Sequence, residues 1–506
     1  MPEVSLETAL DEELSLAVDR RLGLMEREQV VSRIWKRDHT VWRDDPTEIS
    51  DRLGWLNAPH VAGRLAADAR ALAEEAAGDG LTHAVLLGMG GSSLAPEVLR
   101  RTLGVAPGAL DLRVLDTTHP DAVAALEREV PIDRCLFVVS SKSGSTIETR
   151  SHLAHFHALT GDGSRFVAIT DPGSPLEAEA EERGFRRVVA AQPDVGGRYS
   201  ALTAFGLLPA ALIGADLDAL LASASEAAAS CGGAHPAGAN PGAALGAVVG
   251  EAALAGRDKL TIHSAATVAS IGAWLEQLVA ESTGKEGRGV IPVDLEPRGA
   301  FRSDRLHLSL GAGTPPEPWA GLPLGEPEAL GALVFVLEFA TAVAGHVLGI
   351  HPFDQPDVQA AKDRTAEALK GTAAAVPKGD LEGLLASVRP GDYVGIQAFV
   401  APSEEMWGRL QAARGRIGER LGVATTLGYG PRYLHSTGQL HKGGPPSGVF
   451  VQVLEEPRED REIPGAGYTF GRLIAAQAAG DLAALRERGR RAERVSLEAL
   501  LSWGAG

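Results

Sequence analysis

Four hydroxyl side chains and one lysine crowd the turn Ser141-Lys142-Ser143-Gly144-Ser145-Thr146, which follows the apolar run Cys135-Leu136-Phe137-Val138-Val139 and opens a helix. Such residues at that spacing suit an anion. Unpaired backbone N–H groups at a helix start can surround a phosphate together with the hydroxyls of Ser141, Ser143, Ser145 and Thr146, while the macrodipole and Lys142 supply positive potential. A serine-rich helix cap is the plainer alternative, but a cap needs one such residue and no lysine.

Five further stretches carry groups able to do chemistry. Gly88-Met89-Gly90-Gly91-Ser92-Ser93 follows a strand and precedes a helix. It lacks the strict dinucleotide spacing, so close backbone approach to a sugar or phosphate is the reading, with a structural turn as the alternative. Val195-Gly196-Gly197-Arg198-Tyr199-Ser200 sets an arginine on a glycine-flexed loop, where its permanent charge and forked donors suit an oxyanion or else a surface salt bridge. Glu281 ends an amphipathic helix, where a carboxylate opposes the dipole and gains basicity if the site is dry, which is useful for abstracting a carbon-bound proton. Lys362 falls nearly two turns into a helix that Pro356 starts, and the loop 433–444 holds His435 and His441, suited to passing protons near neutral pH. Neither histidine has a third ligand at metal spacing, so a proton shuttle is preferred to a metal site.

These groups need a scaffold, and its elements alternate. Apolar runs at 84–87, 112–115, 135–139, 166–169 and 187–189 each leave through a Gly, Ser or Asp turn into a helix, the signature of a parallel, doubly wound sheet. Ligands of such sheets sit at the carboxyl ends of the strands, where both the glycine and the serine turns fall. A second series runs through 259–263, 290–293, 306–308, 392–400 and 449–453, so two sheet domains in tandem are expected. The implied division is an accessory helical segment at 1–79, a first domain at 80–235, a second at 236–469 and a helical tail at 470–506. Trp35, Trp42 and Trp55 read as packing anchors, and the tail's arginines 486, 488, 490, 491 and 494 as a solvated helix face.

Composition sets the outer limits. The 506 residues carry 48 Lys and Arg against 66 Asp and Glu, a formal net charge of -18 that repels nucleic acid and anionic membrane. An anionic ligand must therefore meet a local cationic pocket. The two cysteines, Cys135 and Cys231, read as buried thiols of a reducing compartment rather than a disulfide or metal site. The first residues show no secretory pattern. Residues 329–350 are apolar and long enough to span a bilayer, but Glu338 and His346 within them favour a helix buried between layers.

Taken together, the stretches 88–93, 141–149, 196–200, 281–285 and 352–362 resemble the glucose-6-phosphate isomerases, most closely the isomerase half of bifunctional transaldolase/isomerase fusions. The likeness runs from about Arg33 to the C-terminus. It implies an α/β fold of two sugar-isomerase (SIS) type doubly wound parallel-sheet domains with accessory helices, a cytoplasmic homodimer, and no cofactor or metal. It further implies that Ser141, Lys142, Ser143 and Thr146 hold the sugar phosphate while Gly90 and Ser92 line the sugar. Glu281 would move the proton between C1 and C2, Arg198 would stabilise the enediolate, and Lys362 with a histidine would open the ring near Gln355. In the family the histidine motif precedes the Phe-Asp-Gln motif, whereas here His435-Ser436-Thr437-Gly438-Gln439 follows Phe353-Asp354-Gln355. Either the second sheet is rearranged in sequence order or another histidine serves. His307 has roughly the family position without the motif, and His435 is preferred. The expected activity is interconversion of glucose 6-phosphate and fructose 6-phosphate; the alternatives are dual action on mannose 6-phosphate and a non-catalytic sugar-phosphate sensor. No transaldolase barrel precedes the isomerase segment, so that activity is not expected.

Overall fold

The computed structural model describes residues 4–296, 302–371 and 379–505, the side chains of 357–363 excepted. The chain starts with a short strand, β1 (Glu7–Ala9), and then a helix Glu12–Arg27 whose start is capped by the Asp11 carboxylate, accepting from the Leu14 amide at 3.1 Å. More helices follow to Gly78. Trp35 and Trp42 close this segment onto the body by donating to the carbonyls of Cys231 and Ala342 at 2.7 and 2.8 Å. Trp55 is fully buried against the Tyr199 ring at 5.2 Å. All three are packing anchors, as their surroundings in sequence suggested.

The first sheet is made of β2 (His83–Gly88), β3 (Asp111–Leu115), β4 (Cys135–Ser140), β5 (Phe166–Thr170) and β6 (Arg187–Ala190), all parallel in the order β3-β2-β4-β5-β6. Every residue of β4 is buried, which is what a strand covered by helices on both faces requires and why it reads as an unbroken apolar run. The order reverses between β2 and β4. Connections leave these two neighbours toward opposite sides and open a crevice at their carboxyl ends. The glycine turn exits β2 and the serine turn exits β4, so the topology alone brings the two motifs together.

Beyond residue 235 the architecture differs from a single second sheet. β7 (Lys259–Ser264), β8 (Ile291–Asp294), β9 (Arg305–Leu310) and β10 (Trp319–Leu322) form a parallel set in the order β10-β9-β7-β8, and β1 adds antiparallel to β10. A separate parallel sheet contains β11 (Tyr393–Phe399), β12 (Ala424–Tyr429), β13 (Gly448–Leu454) and β14 (Arg491–Val495), ordered β12-β11-β13-β14. Buried Arg414 joins the two, donating to the carbonyls of Asp294 at the end of β8 at 2.7 Å and of Thr425 on β12 at 2.9 Å.

Two expectations are corrected here. The segment 470–506 is no appended helical tail, because β14 completes the third sheet and the helix Phe470–Glu487 packs into the body with eleven buried residues. Of its clustered arginines, Arg486 and Arg488 are exposed at the end of that helix, but Arg490, Arg491 and Arg494 lie beyond it and are engaged by protein. Arg490 donates to the carbonyls of Lys442, Gly444 and Pro445, and Arg491 pairs with Asp392 at 2.9 Å. The apolar stretch near 329–350 forms the helix Leu330–Leu348, buried at every position but His346, so the protein's own helices cover it. Cys135 and Cys231 are free and buried.

Candidate active site

The serine turn is built without an ordinary cap. Thr146 stands at the N-cap of the helix Ile147–Thr160, yet its side chain accepts no backbone N–H. Its hydroxyl lies 3.0 Å from that of Ser141, and the Ser143 and Ser145 hydroxyls lie 3.0 Å apart. A cluster of hydroxyls around an uncapped helix start is what an anion needs and what a cap does not explain. Lys142 does less than its type suggested. Its ammonium pairs with Asp171 at 2.9 Å and donates to the carbonyls of Gln192 and Pro193, so its charge is largely answered by protein.

The glycine turn, the arginine loop and the end of the Glu281 helix meet at backbone distance. Gly91 has no room for a side chain, since a Cβ there would lie 1.9 Å from the Gly197 carbonyl oxygen. Gly90 has φ +56°, and a Cβ would lie 2.6 Å from the His435 carbonyl oxygen and 3.0 Å from Gln277 Nε2. Ser92 closes the same turn, 8% exposed. On the facing loop, Arg198 is 2% exposed and held from several sides. Its Nε donates to Ser282 Oγ at 2.9 Å, Nη1 to Gln355 Oε1 at 3.0 Å, and Nη2 to the Pro352 and Asp354 carbonyls at 2.8 and 2.9 Å.

Glu281 lies in the last turn of the helix Ile271–Thr283, 6% exposed, with Oε1 3.5 Å from Arg198 Nη1. Its Oε2 accepts from Gln277 Nε2 at 3.0 Å, one helical turn earlier, and the same amide donates to the His435 carbonyl at 2.9 Å. His435 Nε2 in turn lies 2.8 Å from Glu148 Oε1, in the first turn of the helix that the serine turn opens. Burial alone would raise the Glu148 carboxyl, but His435 outweighs it through charge and hydrogen bond, and the pKa is lowered. An ionised carboxylate only accepts, so Nε2 carries a proton and Nδ1 is the nitrogen left to exchange one. The structure therefore brings His435 into the cleft, while His307 lies on the second sheet, 2.9 Å from His263.

The turn 352–355 is pinned from below by Lys285, which is buried, pairs with Asp354 at 2.6 Å and donates to the His351 carbonyl at 2.6 Å. Burial, then the nearby Arg198 charge, push the Lys285 ammonium down to about 7 against the pull of Asp354. Lys362 lies on the helix Pro356–Lys370, but its side chain is outside the described residues. Among the described residues no group of three or more His, Cys, Asp or Glu side chains is arranged for a metal ion. Reading by motif missed Gln277, Glu148 and Lys285 as members of the site. Gln277 could have been found as the i−4 neighbour of Glu281 on one helix face, and Glu148 as a carboxylate in an anion-binding first turn, where it needs a partner.

Fold and site together define an α/β protein of parallel sheets whose acid–base groups gather where the carboxyl ends of the first sheet meet the helix of Glu281. Residues 70–289 match the phosphoglucose isomerase family model, a span that takes in the first sheet, Arg198 and Glu281. A glucose-6-phosphate isomerase of Rubrobacter xylanophilus is 30% identical over 397 residues, covering 62% of this chain and 89% of that protein. One of Thermus thermophilus is 38% identical over 187 residues, 36% of this chain and 44% of that protein. Among solved structures, a hypothetical protein of Thermus thermophilus aligns with TM-score 0.63 and 27% identity over 73% of this chain and 100% of that one. A glucose-6-phosphate isomerase of Chlamydia trachomatis aligns with TM-score 0.61 and 19% identity over 76% of this chain and 91% of that one, a likeness of fold. The chain belongs to the phosphoglucose isomerase family.

Proposed function

We propose that this chain is an aldose-ketose isomerase that interconverts glucose 6-phosphate and fructose 6-phosphate through an enediolate. One observation carries the reading: an unbroken chain of contacts leads from the serine turn through Glu148, His435 and Gln277 to the Glu281 carboxylate. An anion anchored on Ser141, Ser143 and Thr146 then has its carbon backbone inside the same cleft as the base. The relatives named for this reaction support it.

In this reading the sugar lies along Gly90 and Ser92. His435 Nδ1 exchanges the proton that opens the ring, with Lys362 and Gln355 at the same end. Glu281 takes the proton from C2 and returns it to C1, while Arg198 faces the oxyanion that develops between them. Electrostatic stabilisation from a preorganised guanidinium is worth most in such a dry site, because its partners already fix it and nothing must reorganise during the reaction. A sensor without turnover has no use for a buried carboxylate 3.5 Å from that guanidinium. The working unit in this proposal is a cytoplasmic homodimer.

The test is glucose 6-phosphate in deuterated water, followed by NMR for fructose 6-phosphate and for deuterium at C2. The unaltered protein should show both. Glu281→Gln should lower both by about 10²–10⁴-fold while still binding inorganic phosphate; undiminished exchange at C2 in that variant rejects Glu281 as the base.

A further inference from the structure

The helix Phe470–Glu487 closes around the turn that carries His435, and we propose that it positions His435 for ring opening, with Gln477 fixing the Glu148–His435 pair. The inference rests on the isomerase reading above. Gln477 and Asp481 are one helical turn apart and so share a face, and they are 2% and 1% exposed. An amide and a carboxylate buried this deeply must be fully engaged to be tolerated. Both are. Gln477 Nε2 donates to Glu148 Oε1 at 2.6 Å, and its Oε1 accepts from Thr118 Oγ1 at 2.7 Å. Both ends of the amide are therefore set, because rotating it would put an oxygen against a carboxylate that can only accept.

Glu148 Oε1 is thus shared between Gln477 and His435. Asp481 secures the chain on either side of that histidine. It accepts from Tyr433 OH at 2.6 Å and pairs with the Lys442 ammonium at 2.5 Å, and Lys442 also donates to the Gly438 carbonyl. Ile474 and Ala478 pack in one cluster with Tyr433 and Phe399. The need for such a brace follows from the topology. His435 comes from the exit of β12 in the third sheet, Glu148 from the helix after β4 in the first, and the pair spans 287 residues of sequence. A helix touching both ends holds the imidazole in one tautomer and one direction, as the third group of a nucleophile–base–orienter set does.

Ring opening can be read apart from proton transfer, because reclosing an opened ring yields both anomers. In Glu281→Gln protein, exchange NMR should show α and β glucose 6-phosphate interconverting faster than in buffer. Adding Gln477→Met, close in volume but without either hydrogen bond, should slow that exchange about 10- to 100-fold with affinity for inorganic phosphate unchanged. Thr118→Val removes the hydroxyl that aims the amide; it should act in the same direction and carries the test if Gln477→Met does not fold. Phosphate affinity intact and anomer exchange equal to that of Glu281→Gln alone overturn the positioning role. Exchange no faster than in buffer for Glu281→Gln removes ring opening from His435 and overturns it as well. Failure of the unaltered protein to isomerise overturns the isomerase reading itself, and the isomerisation assay reports that separately.

Discussion

Arg198 is the most constrained side chain of the cleft. Ser282, Gln355 and two carbonyls of the 352–354 turn use its Nε and both terminal nitrogens, which leaves the guanidinium plane fixed beside Glu281. A lysine would keep the charge but satisfy only part of that set. Arg198→Lys is therefore expected to lower kcat by about 10²–10³-fold with a small change in KM, read by steady-state kinetics; full activity would show that charge alone suffices. At this scale the sequence was informative where a residue's chemistry is local. Glu281 at a helix end, Arg198 on a glycine loop and the hydroxyls before a helix announce themselves by type and spacing. Gln277 shows only its near partner, Glu281 one helical turn on, and not the His435 carbonyl 158 residues on; Gln477 shows none, since Glu148 lies 329 residues back. Lys142 was legible as a lysine in an anion turn, but Asp171, which engages it, comes from the next strand's exit.

Turns rather than strands set the site, and the tightest constraint among them is Gly91 against Gly197. Since a Cβ at 91 would meet backbone and not a yielding side chain, Gly91→Ala must push the glycine turn and the Arg198 loop apart. We expect it to destabilise the fold by about 1–3 kcal/mol in urea titrations and to lower turnover of the protein that remains folded; a variant as stable and active as the parent would show that the loops do not depend on this contact. The first sheet was readable in full because β2, β4 and β5 are buried along nearly their whole length and read as apolar runs, while the more exposed β3 and β6 still carry Leu112, Val114 and Leu115 or Val188 and Val189 between polar turns. β1, β10, β12 and β14 were not. β1 has three residues, too few for periodicity; β10 is Trp-Ala-Gly-Leu, with a glycine inside it; β14 has only Ala492 and Val495 as apolar residues among Arg491, Glu493 and Arg494; and β12 begins with Ala-Thr-Thr. Without β12 and β14 the third sheet could not be recognised as separate. We propose keeping domain breaks near 79/80 and 235/236, with residues 470–506 part of the second domain instead of a tail.

Several histidines are buried in this molecule, which gives it an acid limit. His152 is fully buried, with Nε2 3.0 Å from the Thr117 carbonyl and its ring stacked on Phe470, and burial pushes it down to about 4 from an ordinary 6.5. Above 6.5 neither the folded nor the unfolded chain holds that proton and the full stability is present. As pH falls from 6.5 toward 4 the unfolded chain takes up a proton that the folded one refuses, so stability is lost, by roughly 3 kcal/mol at most from this group. His307, also held near 4 by burial, adds with the same sign. Urea-derived stability should therefore decline between pH 6.5 and 4, and His152→Gln should flatten that decline; an unaltered slope would assign it to other groups. The same sheets that bury these rings carry the parts of the cleft toward one another, and the account depends on a single substrate spanning them. A crystal structure with a five-carbon phosphorylated sugar acid, a mimic of the enediolate, measures this directly. The account predicts its phosphate among the hydroxyls of Ser141, Ser143 and Thr146 and its carboxylate within hydrogen-bonding distance of both Glu281 and Arg198. A phosphate bound elsewhere, or a carboxylate out of reach of Glu281, would contradict it.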